Sequence, residues 1–521
     1  MRSLNFLKNF FLGSLGQVLT AVLNFVVRTV FIYTLSDAYL GINGLLSSVL
    51  SVLNLANLGI DAAIIYAMYK PVAEKDMEQT KSLLRFYRKA YRLIGCFILA
   101  LGFAVLTPLL PYLAKGSTDL VDLRIVFWLY LLDTACSYFF FAYLSGLLVA
   151  DQRSYVTSVV NCSVQFFRAV TQILLLLLLR RTPALAFYVH TAVGLAFGIL
   201  RSLLVRRRVL EMYPWVRDKD VRPLPAEEKR EIFKNVVGMS TNNICRVLND
   251  GIDSAIISAF LGLGAAGVFS NYLALKTYLL NFLKIVFHAM TAGVGNLCAV
   301  ESEEKKESFF DSLQFSCFWI YGFFAIGFWV LMDSFIAGVW LHDVKWLMPR
   351  IAVFLLSFNF LIEGLAKAVI VYRDANGLYW QTKFRYIFSS VFNAVISVVF
   401  VGPLHMGVTG ALLGTTASLI IMLSYDPVLV YRHVFRKTAG RYYRTYFLEL
   451  ALVLATGAAV HAVCLPFSDF TVGCFLFRGA ACLVIPNGLW YLLFRSDPRF
   501  GYLRSTAEGY LRKIKARLRK S

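Results

Sequence analysis

The chain alternates long apolar runs with short polar stretches. Gly, Pro and charge divide it into segments near 10–34, 40–67, 90–113, 122–149, 154–179, 182–205 and 232–261, then near 264–298, 309–332, 347–372, 379–402, 404–430, 444–466 and 470–494. A helix crossing ~30 Å of hydrocarbon needs about 20 residues, and the segments are of that order. The pattern predicts an all-α integral membrane protein with fourteen transmembrane helices. The first run follows Arg2 and Lys8 as a signal peptide would. It is too long for one, however, and has no small-x-small cleavage site before the next run, so it is expected to stay.

Charge orients these segments. Of the 52 Lys and Arg residues, 39 lie in 1–9, 68–92, 201–234, 373–385, 431–444, 495–521 and at Arg153, Lys305 and Lys306. The alternate connectors hold six, Lys115, Arg124, Arg180, Arg181, Lys345 and Arg350, and seven lie within the spans. Such asymmetry predicts that both termini are cytoplasmic and that the number of spans is even. Composition agrees: 58% of residues are hydrophobic and mean hydropathy is +0.65. Charged residues make up 16%, against about a quarter in soluble proteins. The net charge of +21 therefore reads as topology and contact with anionic membrane lipids, not as nucleic-acid binding. In the basic tail 496–521, Leu503, Ala507, Tyr510, Ile514 and Leu518 share one helical face among cations. This predicts an amphipathic helix on the inner leaflet.

An internal repeat organises the spans. FLKNFFLGSLGQVLTAVLN (6–24) aligns with IFKNVVGMSTNNICRVLND (232–250) at a constant shift of 226 residues, Lys8 falling on Lys234. Gln17 then falls on Asn243, Asn24 on Asp250 and Gly41 on Gly267. GxxxG recurs at Gly194/Gly198 and Gly410/Gly414, a spacing that lets helices pack closely. The expected organisation is an N-terminal lobe 1–205 (helices 1–6), a basic cytoplasmic connector 206–231, and a C-terminal lobe 232–432 (helices 7–12). Helices 13–14 (433–495) and the tail 496–521 follow. Two repeated halves around a central site is a transporter plan.

Polar residues recur on particular helical faces. Gln17, Asn24 and Arg28 share a stripe of the first helix, and Ser47, Asn54 and Asp61 share one on the second. Asn243, Arg246, Asp250 and Asp253 repeat the arrangement on the seventh, and Lys276 and Lys284 lie on the eighth with Asn271 and Asn281 nearby. A charge at mid-bilayer costs at least ~2.5–3.5 kcal/mol on insertion scales, so these faces are expected to line water or each other. Arg28, Arg168 and Lys284 have no acid one turn away. They either pair between helices, Arg28 with Asp61, or bind an anion. Arg246 and Asp250, at i and i+4, either neutralise one another or leave Asp250 to carry a coupling ion. Glu363 and Lys367 have the same spacing and read as structural, and Arg478 reads as structural or lipid-facing. Set against seven membrane cations, Asp61, Asp133, Asp250, Asp253 and Glu363 leave a positive interior suited to an anionic cargo.

Other chemistries find little support. The nine cysteines are scattered without a CxxC pair, the pairing of Cys464 with Cys474 across a short loop stays open, and the six dispersed histidines offer no metal site. No GxxxxGK[ST] loop is present, so the chain is not itself an ATPase. A polysaccharide polymerase or ligase would need catalytic residues on a sizeable external loop, and the external connectors are short.

YLGINGLLSSVLSVLNLANLGIDAAIIYAMYKPVAEKD (39–76) resembles a signature of bacterial polysaccharide-biosynthesis flippases of the multidrug/oligosaccharidyl-lipid/polysaccharide exporter superfamily. GVFSNYLALKTY (267–278) and RDANGLYWQTKFRYIFSSVFNAVISVVFVGPLHMGVTGALLGTTAS (373–418) are similar to later blocks of that family. The resemblance implies a V-shaped molecule in a bacterial plasma (inner) membrane, with two six-helix lobes alternately open to either side. Its cargo would be an undecaprenyl-diphosphate-linked glycan of capsule, exopolysaccharide or O-antigen type, passed on to a polymerase and assembly proteins. Related lipid II flippases use cavity cations on the first and eighth helices. Arg28 and Lys276 stand in comparable places, Lys276 offering a point charge where an arginine fork is usual. Under this reading Gln17, Asn24, Arg28, Asn54, Arg168, Lys276 and Lys284 bind diphosphate and sugar. No cofactor is expected, and Asp61, Asp250 and Asp253 are the candidates to carry a coupling H⁺ or Na⁺. A drug/cation antiporter of the same superfamily and a lipid II-type flippase are the alternatives.

Overall fold

The computed structural model describes residues 2–53, 64–113, 120–230, 232, 251–300 and 302–501, apart from 66, 69, 70, 73, 141, 152, 219, 220 and 377. Among them there is no strand. Ten described helices are long and apolar enough to cross a membrane, or eleven if one bent pair counts as a single span. They fall on predicted segments one, three to six and nine to fourteen. Segments two and seven run into residues outside those described, as does the tail from 502 onward, and segment eight coincides with a helix over Leu263–Val300. The chain is a multi-pass membrane protein, and its surface fits that solvent: Leu93, Leu178 and Phe384 are 73%, 76% and 72% exposed. A surface this rich in exposed Leu, Val, Ile and Phe suits a lipid solvent.

Two compact units divide the chain, Met1–Ile285 and Val286–Ser521. The first contains α1 (Arg2–Thr34), α2 (Asp37–Leu53), α3 (Met77–Leu101), α4 (Leu123–Phe140), α5 (Ala142–Ala150), α6 (Tyr155–Leu178), α7 (Pro183–Met212) and α8 (Gly251–Leu261), and α9 (Leu263–Val300) runs on from it. Here α1 packs along α6, α6 along α7, and α4 against both α3 and α7. Local chemistry sets the helix starts. Asp76 caps α3 by accepting from Gln79 N–H at 2.9 Å. Pro183 opens α7, where its missing N–H costs nothing. On α3, Tyr87, Tyr91 and Ile98 turn inward while Arg85, Arg88, Lys89 and Arg92 stay exposed.

The basic connector after α7 does not hang free. Lys81 pairs with Asp218 at 2.6 Å, Ser82 donates to the Arg222 carbonyl at 2.8 Å and Arg85 to that of Val221 at 2.8 Å. At its start, the Tyr213 hydroxyl donates to Asp151, and burial together with that carboxylate raises the phenol's pKa.

The second unit holds α10 (Glu303–Ser334), α11 (Arg350–Leu365), α12 (Lys367–Ala375), α13 (Tyr379–Val401), α14 (Gly407–Val430), α15 (Gly440–Cys464) and α16 (Val472–Phe494). Its core is aromatic. Phe310 meets Tyr372, Tyr431 and Phe435 edge to face and Tyr442 at a tilt, and fully buried Trp490 donates to Thr456 at 3.2 Å. α13 and α14 form a close hairpin: a Cβ on Gly410 would sit 2.9 Å from the Phe400 carbonyl carbon. The second predicted GxxxG thus does what its spacing implied. α11 and α12 meet at Ala366 with a 43° bend. That bend breaks the expected i, i+4 relation of Glu363 and Lys367, and among the described residues no ion pair joins them.

Candidate substrate-binding site

Arg28 projects from α1 onto α9. Its Nε and Nη2 both donate to Asn271 Oδ1, at 3.1 and 2.9 Å, and Nη2 also donates to Ser270 Oγ at 2.8 Å. Asn271 is fully buried and Arg28 is half-buried. The acceptors are an amide and a hydroxyl, both neutral, and among the described residues no carboxylate pairs with this guanidinium. They orient the fork and satisfy part of it without cancelling its charge. Among the described residues, an anion is what such a group lacks.

The α1–α2 turn brings the site together by crossing α2 over the start of α9. A Cβ on Gly41 would collide with the Leu263 carbonyl. One on Gly267 would lie 2.6 Å from the Asp37 carbonyl oxygen and 3.2 Å from Gly41 N. These contacts are reciprocal under the repeat shift: Asp37 corresponds to Leu263 and Gly41 to Gly267. Gly44 corresponds to Ser270, and a Cβ on Gly44 would lie 3.3 Å from the Cβ of Ser270 itself. Reciprocity of this kind marks a local two-fold relation, residue i meeting j while j meets i. Backbone contact at the crossing is what requires glycine there.

The other predicted residues spread around this centre. Asn24 is exposed one turn before Arg28 and accepts from Gln165 Nε2 of α6 at 2.6 Å, and Gln17 is exposed further along α1. Lys276 is half-buried on α9, on the turn after Asn271, and Asp253 is buried on α8. Asn54, Asp61, Arg246 and Asp250 lie outside the described residues, as does the side chain of Lys284. The expected alternative of Arg28 pairing with Asp61 therefore falls outside them too.

Arg168 belongs to a second group. A Cβ on Gly194 would lie 3.1 Å from its Nη2, and one on Gly198 would fall on Asp133 Oδ1. The first GxxxG of α7 thus makes room for charged side chains from α6 and α4. Asp133 sits within electrostatic reach of both Arg168 and Arg201, leaving a net positive trio inside the first unit. Tyr130 on the same helix donates to Asn43 of α2, which ties this group to the crossing.

Three groups in the second unit were not singled out from sequence. The buried Asp426 Oδ2 accepts from Arg373 Nη1 at 2.8 Å and Arg385 Nη2 at 2.7 Å, with Tyr386 under the Arg385 guanidinium at 3.6 Å. Glu449 is buried on α15. Both carboxylates lie in predicted spans and belong in the count of membrane acids, which corrects the positive balance read from sequence. The sign of the site rests instead on the surroundings of Arg28. The third group is a cavity of about 460 Å³ lined by Arg350, Arg478, His461, Asp333 and Trp329 among others. Arg478, expected to be structural or lipid-facing, turns inward and donates to Ser334 and to the Phe467 carbonyl. Cys464 and Cys474 are both free thiols.

No protein-family model matches the chain, and no curated protein matches it. Solved structures do. A lipid II flippase, MurJ, in an inward closed conformation aligns over 92% of this chain and 99% of its own, at TM-score 0.65 and 12% identity. A multidrug resistance MATE family transporter of the MOP superfamily, inward-facing, covers 80% and 94% at TM-score 0.60 and 13% identity. A MOP superfamily transporter from Pyrococcus furiosus covers 83% and 96% at TM-score 0.56 and 12% identity. At such identity the likeness is one of fold. The chain has the helical fold of these transporters.

Proposed function

We propose that the chain is a flippase that moves an undecaprenyl-diphosphate-linked oligosaccharide from the inner to the outer leaflet of a bacterial plasma membrane by alternating access. The observation that carries this reading is the Arg28 guanidinium, fixed by Asn271 and Ser270 and matched by no carboxylate among the described residues. A diphosphate supplies the missing charge, and a guanidinium fork fits its oxygens. The exposed amides of Asn24 and Gln17 on the same helix would meet the sugar, and the polyprenyl chain stays in lipid. In this reading fourteen helices form two repeat-related lobes with both termini cytoplasmic. Asp253, together with Asp61 and Asp250, is a candidate to carry a coupling H⁺ or Na⁺. Similarity in fold to a lipid II flippase supports a lipid-linked cargo, and the polysaccharide-flippase resemblance of residues 39–76 supports a repeat unit over lipid II.

The test is genetic and chemical. Deleting the gene should cause one lipid-linked glycan to accumulate on the inner leaflet, and its composition names the cargo. Wild-type protein should clear it, and Arg28→Ala at equal abundance should not. Accumulation of lipid II would move the assignment to peptidoglycan precursors. No accumulation, with altered drug tolerance, would replace it by the antiporter.

A further inference from the structure

Glu449 lies nine residues into α15, roughly 13 Å along the helix axis. It is 6% exposed. Its Oε2 accepts from Gln314 Nε2 of α10 at 3.2 Å, and Oε1 is buried with no hydrogen-bond partner. Tyr442 and Tyr446 flank it on its own helix, both essentially unexposed. The Tyr446 hydroxyl is turned away to the Ile362 carbonyl of α11 at 3.3 Å, and the Tyr442 hydroxyl is buried with no partner. Among the described residues, the charged groups that act on Glu449 are Arg499 from the segment after α16 and Asp311 from α10, opposite in sign. Arg499 is already committed to Asp497 at 2.7 Å. Cys317 on α10 lies within reach of both Glu449 and Lys367 of α12. An ionised carboxylate in such a place, with one neutral donor and aromatic walls, is far more costly to bury than the neutral acid.

From Glu449 a polar face leads to the surface. Gln314, Asp311 and Glu307 follow one another along α10 at helical spacing, so they share a stripe. At its outer end Asp311 pairs with Arg441 at 2.6 Å and Glu307 with Lys437 at 2.5 Å. We propose that Glu449 is a proton-binding site, protonated in this conformation and exchanging its proton along the Gln314–Asp311–Glu307 face. In the exchange the carboxyl O–H bond breaks, the electron pair stays on Glu449, and the proton passes through water to the Asp311 carboxylate. α15 and α10 are held together by the neutral pair Glu449–Gln314, and ionisation of Glu449 sets a desolvated charge between them. The site is independent of the cargo assigned above, and none of the residues proposed from sequence to carry a coupling ion takes part.

Infrared difference spectroscopy of the full chain in lipid vesicles, in H₂O and D₂O, reads the proton directly. Wild type should show a protonated-carboxyl C=O band at neutral pH that shifts on deuteration. Glu449→Gln should lose that band's share for one carboxyl while keeping the wild-type melting temperature. Glu449→Asp should retain it at a shifted position, and this variant serves if the glutamine variant does not fold. An unchanged band in Glu449→Gln, an unshifted one in Glu449→Asp, or no protonated-carboxyl band in wild type would each overturn the proposal.

Discussion

Arg28 of α1 places both Nε and Nη2 on the single Oδ1 of Asn271 in α9, at 3.1 and 2.9 Å, across 243 residues of sequence. One neutral oxygen thus fixes a cation without cancelling it, and the site's geometry depends on helices far apart in the chain. In double-mutant cycles interhelical hydrogen bonds in membranes average about 0.6 kcal/mol and reach about 1.7, those to charged groups being the stronger. A double-mutant cycle with Arg28→Ala and Asn271→Leu should give a coupling of about 0.6–1.7 kcal/mol in unfolding measurements. Additive single losses would mean that the contact contributes nothing. Arg28→Lys should recover little of the coupling, because one ammonium does not reproduce the two-pronged approach.

The crossing of α2 and α9 makes a second prediction. A Cβ on Gly44 would lie 3.3 Å from the Cβ of Ser270, close to the ~3.5–4.5 Å of disulfides. The pair Gly44→Cys with Ser270→Cys should cross-link on mild oxidation, seen as a mobility shift that reductant reverses. Under the function proposed above, with α2 and α9 separating in each cycle, oxidation should also stop the proposed export in cells and reduction should restore it. Failure to cross-link would remove the local two-fold contact from the account.

Much of this was legible in the sequence, and the reasons differ from residue to residue. Long apolar runs announced the spans because a helix in lipid has little other choice of composition. The repeat shift aligned Gly41 with Gly267, but that their backbones approach closely was visible only in the fold, where a side chain at either would collide. Arg28 stood out as a cation with no local acid, but its partners did not, because Asn271 and Ser270 lie 243 and 242 residues away. Asp426 and Glu449 were missed for a related reason. Single acids in apolar runs look alike, and only packing distinguishes the one held by two arginines from the one beside a glutamine.

The α7 glycines carry a third prediction. A Cβ on Gly198 would fall on Asp133 Oδ1, so Gly198→Ala must push Asp133 from its place near Arg168 and Arg201. Overpacking of this kind costs typically ~1–3 kcal/mol, and here it also displaces a charge. Thermal unfolding should show the loss. Gly473→Ala, where a Cβ meets nothing within 4 Å, should leave stability unchanged and serves as the control. Equal melting temperatures for the two variants would contradict the close approach.

Asp426 is the strongest test of what holds the second unit together. Its carboxylate is 1% exposed and receives Arg373 and Arg385 on the same oxygen, at 2.8 and 2.7 Å, while Arg373 also pairs with Asp374 at 2.7 Å. Four groups therefore balance in charge, joining α12, α13 and α14. Removing one partner of a buried ion pair leaves an uncompensated charge and costs about 3–5 kcal/mol. Asp426→Asn should fall in that range, losing charge while keeping shape, and should lower the melting temperature more than Asp374→Asn, whose carboxylate is partly exposed. Replacing the whole buried set by apolar residues of similar size, Asp426→Leu with Arg373→Met and Arg385→Met, should cost less than Asp426→Asn alone, since no charge is then left buried. If the triple variant is the less stable one, these side chains do more than neutralise each other, and the segment 373–385 would then need its charges for another purpose.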